Sequence, residues 1–383
     1  MNIFVDAFVD TNFGDNFFIH TIVTRYPKHS FFMIERVGQE YSYQLLKKNE
    51  KNIHLIDPAE EDESLKKMDA MMIVGGDMFW DYGDYSGFLK RMHKIKENGG
   101  WIAILGISLF ERYSEKTKED FKEMFSLADI IVVRDKETFL QVKKFVSEAN
   151  VVISSDMAFT FDPYKINKKV ETERGTLGIS IRKKIPRNSE DKYEQYCSQI
   201  ANVATAYLDK AEINKVTFLA LSSGSFDDEK VAEQIIGLCP EKYRSRMKCA
   251  VFRGDIEAYI TEMQKCEKMI CTRFHSLVFA LILEKPFVPI IYEEKMRRLL
   301  NEIAYYGIQL SYEQMLEPEM IISSLEKKKY LDMELAWYSN KGKNFFGQID
   351  QWIKNDEKQK GIIYKIIKLL GLQKRESKRS IMI

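Results

Sequence analysis

The chain has 383 residues, of which 45% are hydrophobic, 12% aromatic and 30% charged. It is long enough for two hydrophobic cores, and too apolar and well mixed to be disordered or fibrous. Its 58 Lys and Arg nearly cancel its 57 Asp and Glu, leaving +1, so there is no basic field for nucleic acid and any anion site has to be local.

The N-terminus, MNIFVDAFVDTNFGDN, lacks a basic n-region and a long apolar stretch, so it does not read as a signal peptide. Strands are predicted at 2–9, 52–57, 70–76, 101–108, 129–135 and 151–156, with amphipathic stretches such as SGFLKRMHKIKENGG and SEKTKEDFKEMFSLAD between them. Short, nearly continuous apolar strands separated by helices imply a parallel sheet covered on both faces. At 161–175 the text turns polar and irregular, and then the alternation restarts. The second set of strands is expected at 176–183, 215–223, 246–254, 268–273 and 287–293, with helices at 189–211, 227–237, 255–265 and 275–284. The expected fold class is therefore α/β, with two Rossmann-like, doubly wound lobes at 1–165 and 175–310.

Residues 312–356 read as helical throughout, which makes 311–383 a helical extension. Its end, 359–379, is amphipathic and basic: Ile362, Ile363, Ile366, Ile367, Leu369 and Leu370 recur at helical spacing beside Lys365, Lys368, Lys374, Arg375, Lys378 and Arg379. Two readings stand, an interfacial helix drawn to anionic lipid or a helix docked on the protein's own lobe. No run approaches the roughly 18 apolar residues needed to span a bilayer. The five cysteines are odd in number and form no CxxC pair, which argues against a disulfide framework or zinc knuckle and for a reducing compartment. Cys266 and Cys271 flank a predicted strand and read as small buried hydrophobes. The expected location is cytoplasmic, with peripheral contact at the inner membrane face left open.

In open parallel sheets, ligands bind beyond the carboxyl ends of the strands, so polar residues there carry the functional argument. In DTNFGDN (10–16), Asn12 and Gly14 make the turn and Asp15 or Asn16 can cap the next helix, whose free N–H groups suit an anion or a sugar hydroxyl. The alternative is a plain capped turn. In VGGDMFWDYGDY (74–85), Gly75 and Gly76 admit a close approach, and Trp80, Tyr82 and Tyr85 interleave with Asp77, Asp81 and Asp84 like a sugar-stacking loop. Three loop carboxylates at these spacings read as solvated caps rather than a metal site. Arg134 follows a strand directly and Asp135 can cap the next helix; a ligand role and a structural pair weigh equally. Arg182 lies at or just past the end of the first strand of the second lobe, beside Lys183 and Lys184, and a solvated edge is the competing reading of that charge run. In CTRFHSLVFAL (271–281), Arg273, His275 and Ser276 stand at a strand-to-helix junction. A planar guanidinium fork, a titratable imidazole and a helix start together suit an anion, although a basic rim remains the competing reading.

These pieces, in this order, resemble the polysaccharide pyruvyl transferase family, whose pattern appears here as NFGD (12–15), GGD (75–77), RD (134–135), SIR (180–182) and RFHSLVFALILEKPFVPIIYEEK (273–295). Asp77 departs from a common third glycine. The resemblance implies two lobes facing across a cleft as in GT-B glycosyltransferases. It also implies transfer of pyruvate from phosphoenolpyruvate (PEP) to a sugar as a ketal, without nicotinamide, flavin or obligatory metal. Under it, Arg273 and His275 hold the phosphate or carboxylate, Arg182, Arg134 and Lys295 complete the clamp, and Ser276 belongs to the binding turn. His275 moves a proton or assists phosphate departure, Asp15 or Asp77 activates the hydroxyl, and Trp80 and Tyr82 stack the acceptor. Expected partners are PEP and a sugar acceptor, a polysaccharide repeat or a lipid-linked oligosaccharide, with homo-oligomerisation left open. The rival readings are a nucleotide-sugar glycosyltransferase, with Glu293 or Glu294 toward the nucleoside, and a non-catalytic subunit of polysaccharide assembly.

Overall fold

The computed structural model describes residues 1–76, 78–109, 112–162, 170–183, 190–224, 227–311, 314, 317–356 and 358. Asp77 and the basic segment 359–379 lie outside the described residues. Seven strands form a parallel sheet: β1 (Asn2–Ala7), β2 (Ser30–Ile34), β3 (Ile53–Ile56), β4 (Ala70–Val74), β5 (Trp101–Ile107), β6 (Ile130–Val133) and β7 (Val151–Ile153). Their order is β3-β2-β1-β4-β5-β6-β7. Five more make a second parallel sheet in the order β10-β9-β8-β11-β12: β8 (Thr176–Ile181), β9 (Lys215–Ala220), β10 (Met247–Val251), β11 (Lys268–Cys271) and β12 (Phe287–Pro289). Ten of the strands are runs such as AMMIV and KMIC that were legible as buried strands, and β3 falls at the expected place; β2, SFFMI, was not foreseen. Its FFMI run is apolar at four successive positions, and in the sheet its residues alternate between half exposed and buried.

In both sheets the chain order reverses beside the first strand, between β1 and β4 and between β8 and β11. Those switch points are where an open α/β sheet leaves a crevice, and here the carboxyl ends of the two sheets face each other. Away from that crevice the lobes are fused rather than merely opposed. Phe13 N–H donates to Leu221 O at 2.8 Å and Ser223 N–H to Thr11 O at 3.2 Å. Phe13 and Phe17, at the start of the helix Phe13–Arg25, pack on Phe252, Tyr259 and Phe279 with ring centroids 5.0–5.5 Å apart. One apolar core therefore runs unbroken from the first lobe into the second.

The extension departs from its prediction. Instead of continuous helix, the described part has helices Pro318–Ser324, Asp332–Lys343 and 347–356, with an irregular stretch at 325–331. There the Tyr330 ring stacks near Phe287 at 5.9 Å and Lys329 O accepts from Tyr306 N–H, tertiary bonds that helix would forbid. Nor is the extension a separate unit, because it crosses back to the first lobe. Trp352 stacks on Trp101 at 4.4 Å, Arg25 pairs with Asp350, and Tyr338 packs edge-on against Phe159. Among the described residues no helix is long and apolar enough to cross a membrane. All five cysteines are free thiols, and Cys266 and Cys271 are buried as expected.

Candidate active site

A cavity of about 270 Å³ lies where the two sets of strand ends meet, at the small end of the range for ligand pockets. The first lobe contributes Asn12 and Asp15 after β1, Arg36 after β2, Gly76, Met78 and Trp80 after β4, and Arg134 after β6. The second contributes Arg182 after β8, Arg273 and His275 after β11, and Tyr292, Glu293 and Lys295 after β12. Among the described residues, five permanent cations thus share one small cavity with two lining carboxylates, in a chain whose formal charge is +1.

Arg273 is the N-cap of the helix Phe274–Ile282, and its backbone N–H donates to Ser276 Oγ at 3.3 Å. Ser276 is fully buried, bonded to Ser180 Oγ at 2.7 Å, and does not line the cavity. It builds the turn instead of touching a ligand. The Arg273 guanidinium is gripped at both ends: Nη2 binds both Asp228 carboxylate oxygens and Nε donates to Ile181 O at 3.3 Å. Asp228 also accepts from Ser222 N–H at 3.1 Å. Burial pushes its carboxyl above the ordinary aspartate value, against the opposing pull of Arg273.

His275 sits at the seam between lobes, edge-on to Phe18 at 5.1 Å. Its imidazole lies against Gly14, so close that a Cβ on Gly14 would stand 1.9 Å from Nδ1. That contact gives the glycine of NFGD a steric reason. The cap of the helix Phe13–Arg25 is Asn12, whose side chain accepts from Gly14 N–H at 3.0 Å. Asp15 and Asn16, foreseen as capping candidates, fall inside the first turn, which leaves Asp15 to line the cavity. Thr11, just before the cap, holds a left-handed φ of 43°, a costly conformation for a β-branched residue at the edge of the site.

Arg134 is buried and oriented from three sides. Nε donates to Ser108 Oγ at 2.6 Å, Nη1 to Asp156 Oδ2 at 3.1 Å, and the guanidinium lies 4.6 Å from the Phe274 ring centre. A Cβ on Gly76 would meet Arg134 Nη1 at 2.6 Å, which is why the first lobe needs a glycine there. Asp135 caps the helix Lys136–Phe145 as foreseen, and it also accepts from Ser108 Oγ at 3.1 Å and from Arg298 Nη1 at 3.2 Å. Arg298 thus ties the second lobe's helix Glu294–Glu302 into the network that holds Arg134.

In the second lobe, Arg182 lies 3.9 Å above the Tyr292 ring, and Glu293 sits between Arg182 Nη1 at 3.5 Å and Lys295 Nζ at 2.6 Å. The loop after β4 is less uniform than its sequence suggested. Trp80 lines the cavity and is half exposed, whereas Tyr82 projects from the loop tip at 84% exposure, off the cavity wall. Tyr85 is core, packed on Phe121 and donating to Trp80 O. Asp81 accepts from Ser114 N–H and Asp84 from Ser86 N–H, so these carboxylates serve turns. Gly75, at φ +155°, packs on Met78 and makes the turn without reaching the cavity lining. Sequence reasoning missed Arg36 along with β2; the signal was an arginine immediately after FFMIE. It also missed Asp228, Asp156 and Ser108, which hold the cations.

A family model described as polysaccharide pyruvyl transferase matches residues 12–294, a span containing every lining residue named above except Lys295, which follows it directly. No functionally curated protein matches the sequence. Among solved structures, the UDP-GlcNAc 2-epimerase of Neisseria meningitidis bound to UDP-GlcNAc aligns with a TM-score of 0.59 at 9% identity, covering 91% of this chain and 99% of that one. A putative UDP-N-acetylglucosamine 2-epimerase from Listeria monocytogenes gives 0.60 at 8% identity, over 94% and 96%. The enzyme from Methanocaldococcus jannaschii gives 0.59 at 11%, over 91% and 99%. These likenesses are of fold: the chain has the two-lobed GT-B architecture.

Proposed function

The chain belongs to the polysaccharide pyruvyl transferase family, and from that premise we propose that it moves the pyruvyl group of PEP onto two hydroxyls of a sugar as a cyclic ketal. The acceptor is a polysaccharide repeat or its lipid-linked precursor, in cell-surface or exopolysaccharide synthesis at the cytoplasmic side. The observation that carries this reading is the density of fixed cations in so small a cavity. PEP is a compact anion with phosphate and carboxylate groups, and it asks for converging donors rather than a basic surface. Arg182, Arg273 and Lys295 of the second lobe, with Arg134 from the first, hold those two groups. His275 protonates the departing phosphate, Asp15 takes a proton from the attacking hydroxyl, and Trp80 supplies a stacking face for the sugar. No nicotinamide, flavin or metal enters these steps.

Thermal-shift titration with PEP, set against UDP- and GDP-sugars, tests the reading. A ligand at 100 times its dissociation constant stabilises by about 2.7 kcal/mol, so PEP is expected to raise the melting temperature and nucleotide-sugars to leave it unchanged. His275→Ala is expected to keep the PEP shift while abolishing turnover. Stabilisation by a nucleotide-sugar and not by PEP would overturn the assignment in favour of glycosyl transfer.

A further inference from the structure

One lining carboxylate has no part in the steps above. Glu293 precedes the helix Glu294–Glu302 but makes no capping hydrogen bond with it. Its Oε2 lies 2.6 Å from Lys295 Nζ and its Oε1 3.5 Å from Arg182 Nη1, and its side chain keeps 29% exposure while lining the cavity. Arg182, 9% exposed, is held flat over Tyr292, and Lys295 is 15% exposed, so neither cation can swing far. The position a donor anion would take beside those two cations is held by the protein's own carboxylate.

We propose that Glu293 is the acid that protonates the methylene carbon of PEP, and that donor binding itself loads it with the proton. The proposal rests on the pyruvyl-transfer reading. Glu293 is paired with both Arg182 and Lys295. When the phosphate or carboxylate of PEP takes those two cations, Glu293 loses their attraction and gains a negative neighbour, and both changes favour its protonated form. Among the described residues, the other charged or titratable groups lining the cavity are Arg36, Asp15 and Arg134 from the first lobe and Arg273 and His275 from the second. Their number does not change on binding, whereas the donor adds negative charge on Glu293's side.

Glu293 takes its proton from solvent. The π electrons of the donor's double bond then form a C–H bond with that proton, leaving a methyl group, an oxygen-stabilised cation at the adjacent carbon and Glu293 again as carboxylate. One sugar hydroxyl adds to that carbon, and its proton goes to Asp15. The carbon–oxygen bond to phosphate breaks with its electron pair on phosphate, which departs carrying one proton from His275. The second hydroxyl closes the ketal. The two hydroxyl protons restore the one that His275 gave and the one drawn from solvent, so the cycle balances without oxidant or reductant. Asp15 and His275 are less suited to the first step, because Asp15 is committed to the hydroxyl and the His275 ring is wedged between Gly14 and Phe18.

Calorimetric titration of PEP into the full-length protein, in two buffers of different ionisation enthalpy, counts protons taken up on binding. Wild type is expected to take up close to one proton per donor. Glu293→Gln is expected to bind PEP as tightly or more tightly, to lose that uptake, and to turn over about 10²–10⁴-fold more slowly. Glu293→Ala, with formate supplied as a free carboxylate, is expected to recover part of the rate and guards against a folding artefact in the first variant. PEP binding with the same proton uptake in Glu293→Gln, or turnover within threefold of wild type, would overturn the proposal and leave pyruvyl transfer standing. Failure of wild type to bind PEP would overturn both.

Discussion

Gly14→Ala should behave opposite to the usual rule. Replacing a helical glycine by alanine ordinarily gains about 0.5–1 kcal/mol. In the first turn of the helix Phe13–Arg25, however, the new Cβ would lie 1.9 Å from His275 Nδ1 and 2.2 Å from Cε1. Carbon contacts settle near 3.5 Å, so the imidazole has to retreat by roughly 1.6 Å, with the Phe18 and Phe274 rings at 5.1 and 5.3 Å restricting its path. Overpacking of this kind costs about 1–3 kcal/mol, more than the helix gains. A displacement of about 1 Å at a reacting group costs on the order of 10² in rate. The variant should therefore fold, melt below wild type, and lose at least about 100-fold in pyruvyl transfer measured with PEP and a sugar acceptor. In Gly14→Ala/His275→Ala the clash is absent, so the double variant should melt above His275→Ala alone and show no further loss of activity. A Gly14→Ala protein with near wild-type turnover would refute the placement of His275 against this helix and the proton role assigned to it.

Asp228→Asn strips the buried Arg273 of its bidentate partner and should cost about 3–5 kcal/mol in urea denaturation, along with most PEP affinity. Arg298→Ala should lower turnover by about tenfold through Arg134, with Arg298→Lys recovering part and the melting temperature changing little; equal rates in both variants would remove Arg298 from the network. Burial pushes the Cys266 thiol up to about 12 and the Cys271 thiol further. Native protein at pH 8.5 should therefore gain no alkyl adduct at either, while denatured protein labels at all five cysteines by mass spectrometry. The sign of the linkage follows: above about pH 8.5 the unfolded thiols release protons that the native ones keep, so stability should fall as pH rises. Trp352→Ala should cost about 2 kcal/mol, because it removes both a half-buried side chain and the stack on Trp101.

Much of the architecture was readable because parallel strands covered on both faces must be apolar at nearly every position, and ten such runs stand out. Strand β2 was overlooked although FFMI is apolar at four successive positions, and Arg36 was lost with it. Arg134, Arg182, Arg273, His275 and Lys295 could be found because strand ends are where such sheets bind ligands. Their supports could not: Asp228 meets Arg273 across 45 residues, and Arg298 meets Asp135 across 163. Only folding creates those pairs. The loop after β4 misled for another reason. Interleaved aromatic and acidic residues look alike whether they face a sugar or a core, and here Tyr85 went inward while Asp81 and Asp84 closed turns. Ser276 was read as a substrate-binding residue, and its fully buried hydroxyl bonds Arg273 and Ser180 at the helix start.

The aromatic seam between the lobes also bears on how substrates come and go. Parting the lobes would bare Phe13, Phe17, Phe252, Tyr259 and Phe279, and each such side chain is worth about 1.5–3 kcal/mol when buried. Even at the lower figure the opened form would lie roughly 8 kcal/mol uphill and hold fewer than about one molecule in 10⁵. A catalytic cycle that waited for clamshell motion would be limited by that rarity. Under the proposed function the molecule would then work as a rigid vise with a fixed aperture, which PEP enters through the standing opening and to which a bulky glycan offers only the edge of one sugar. On that reading, acceptors would be selected by which sugar edge fits past Trp80.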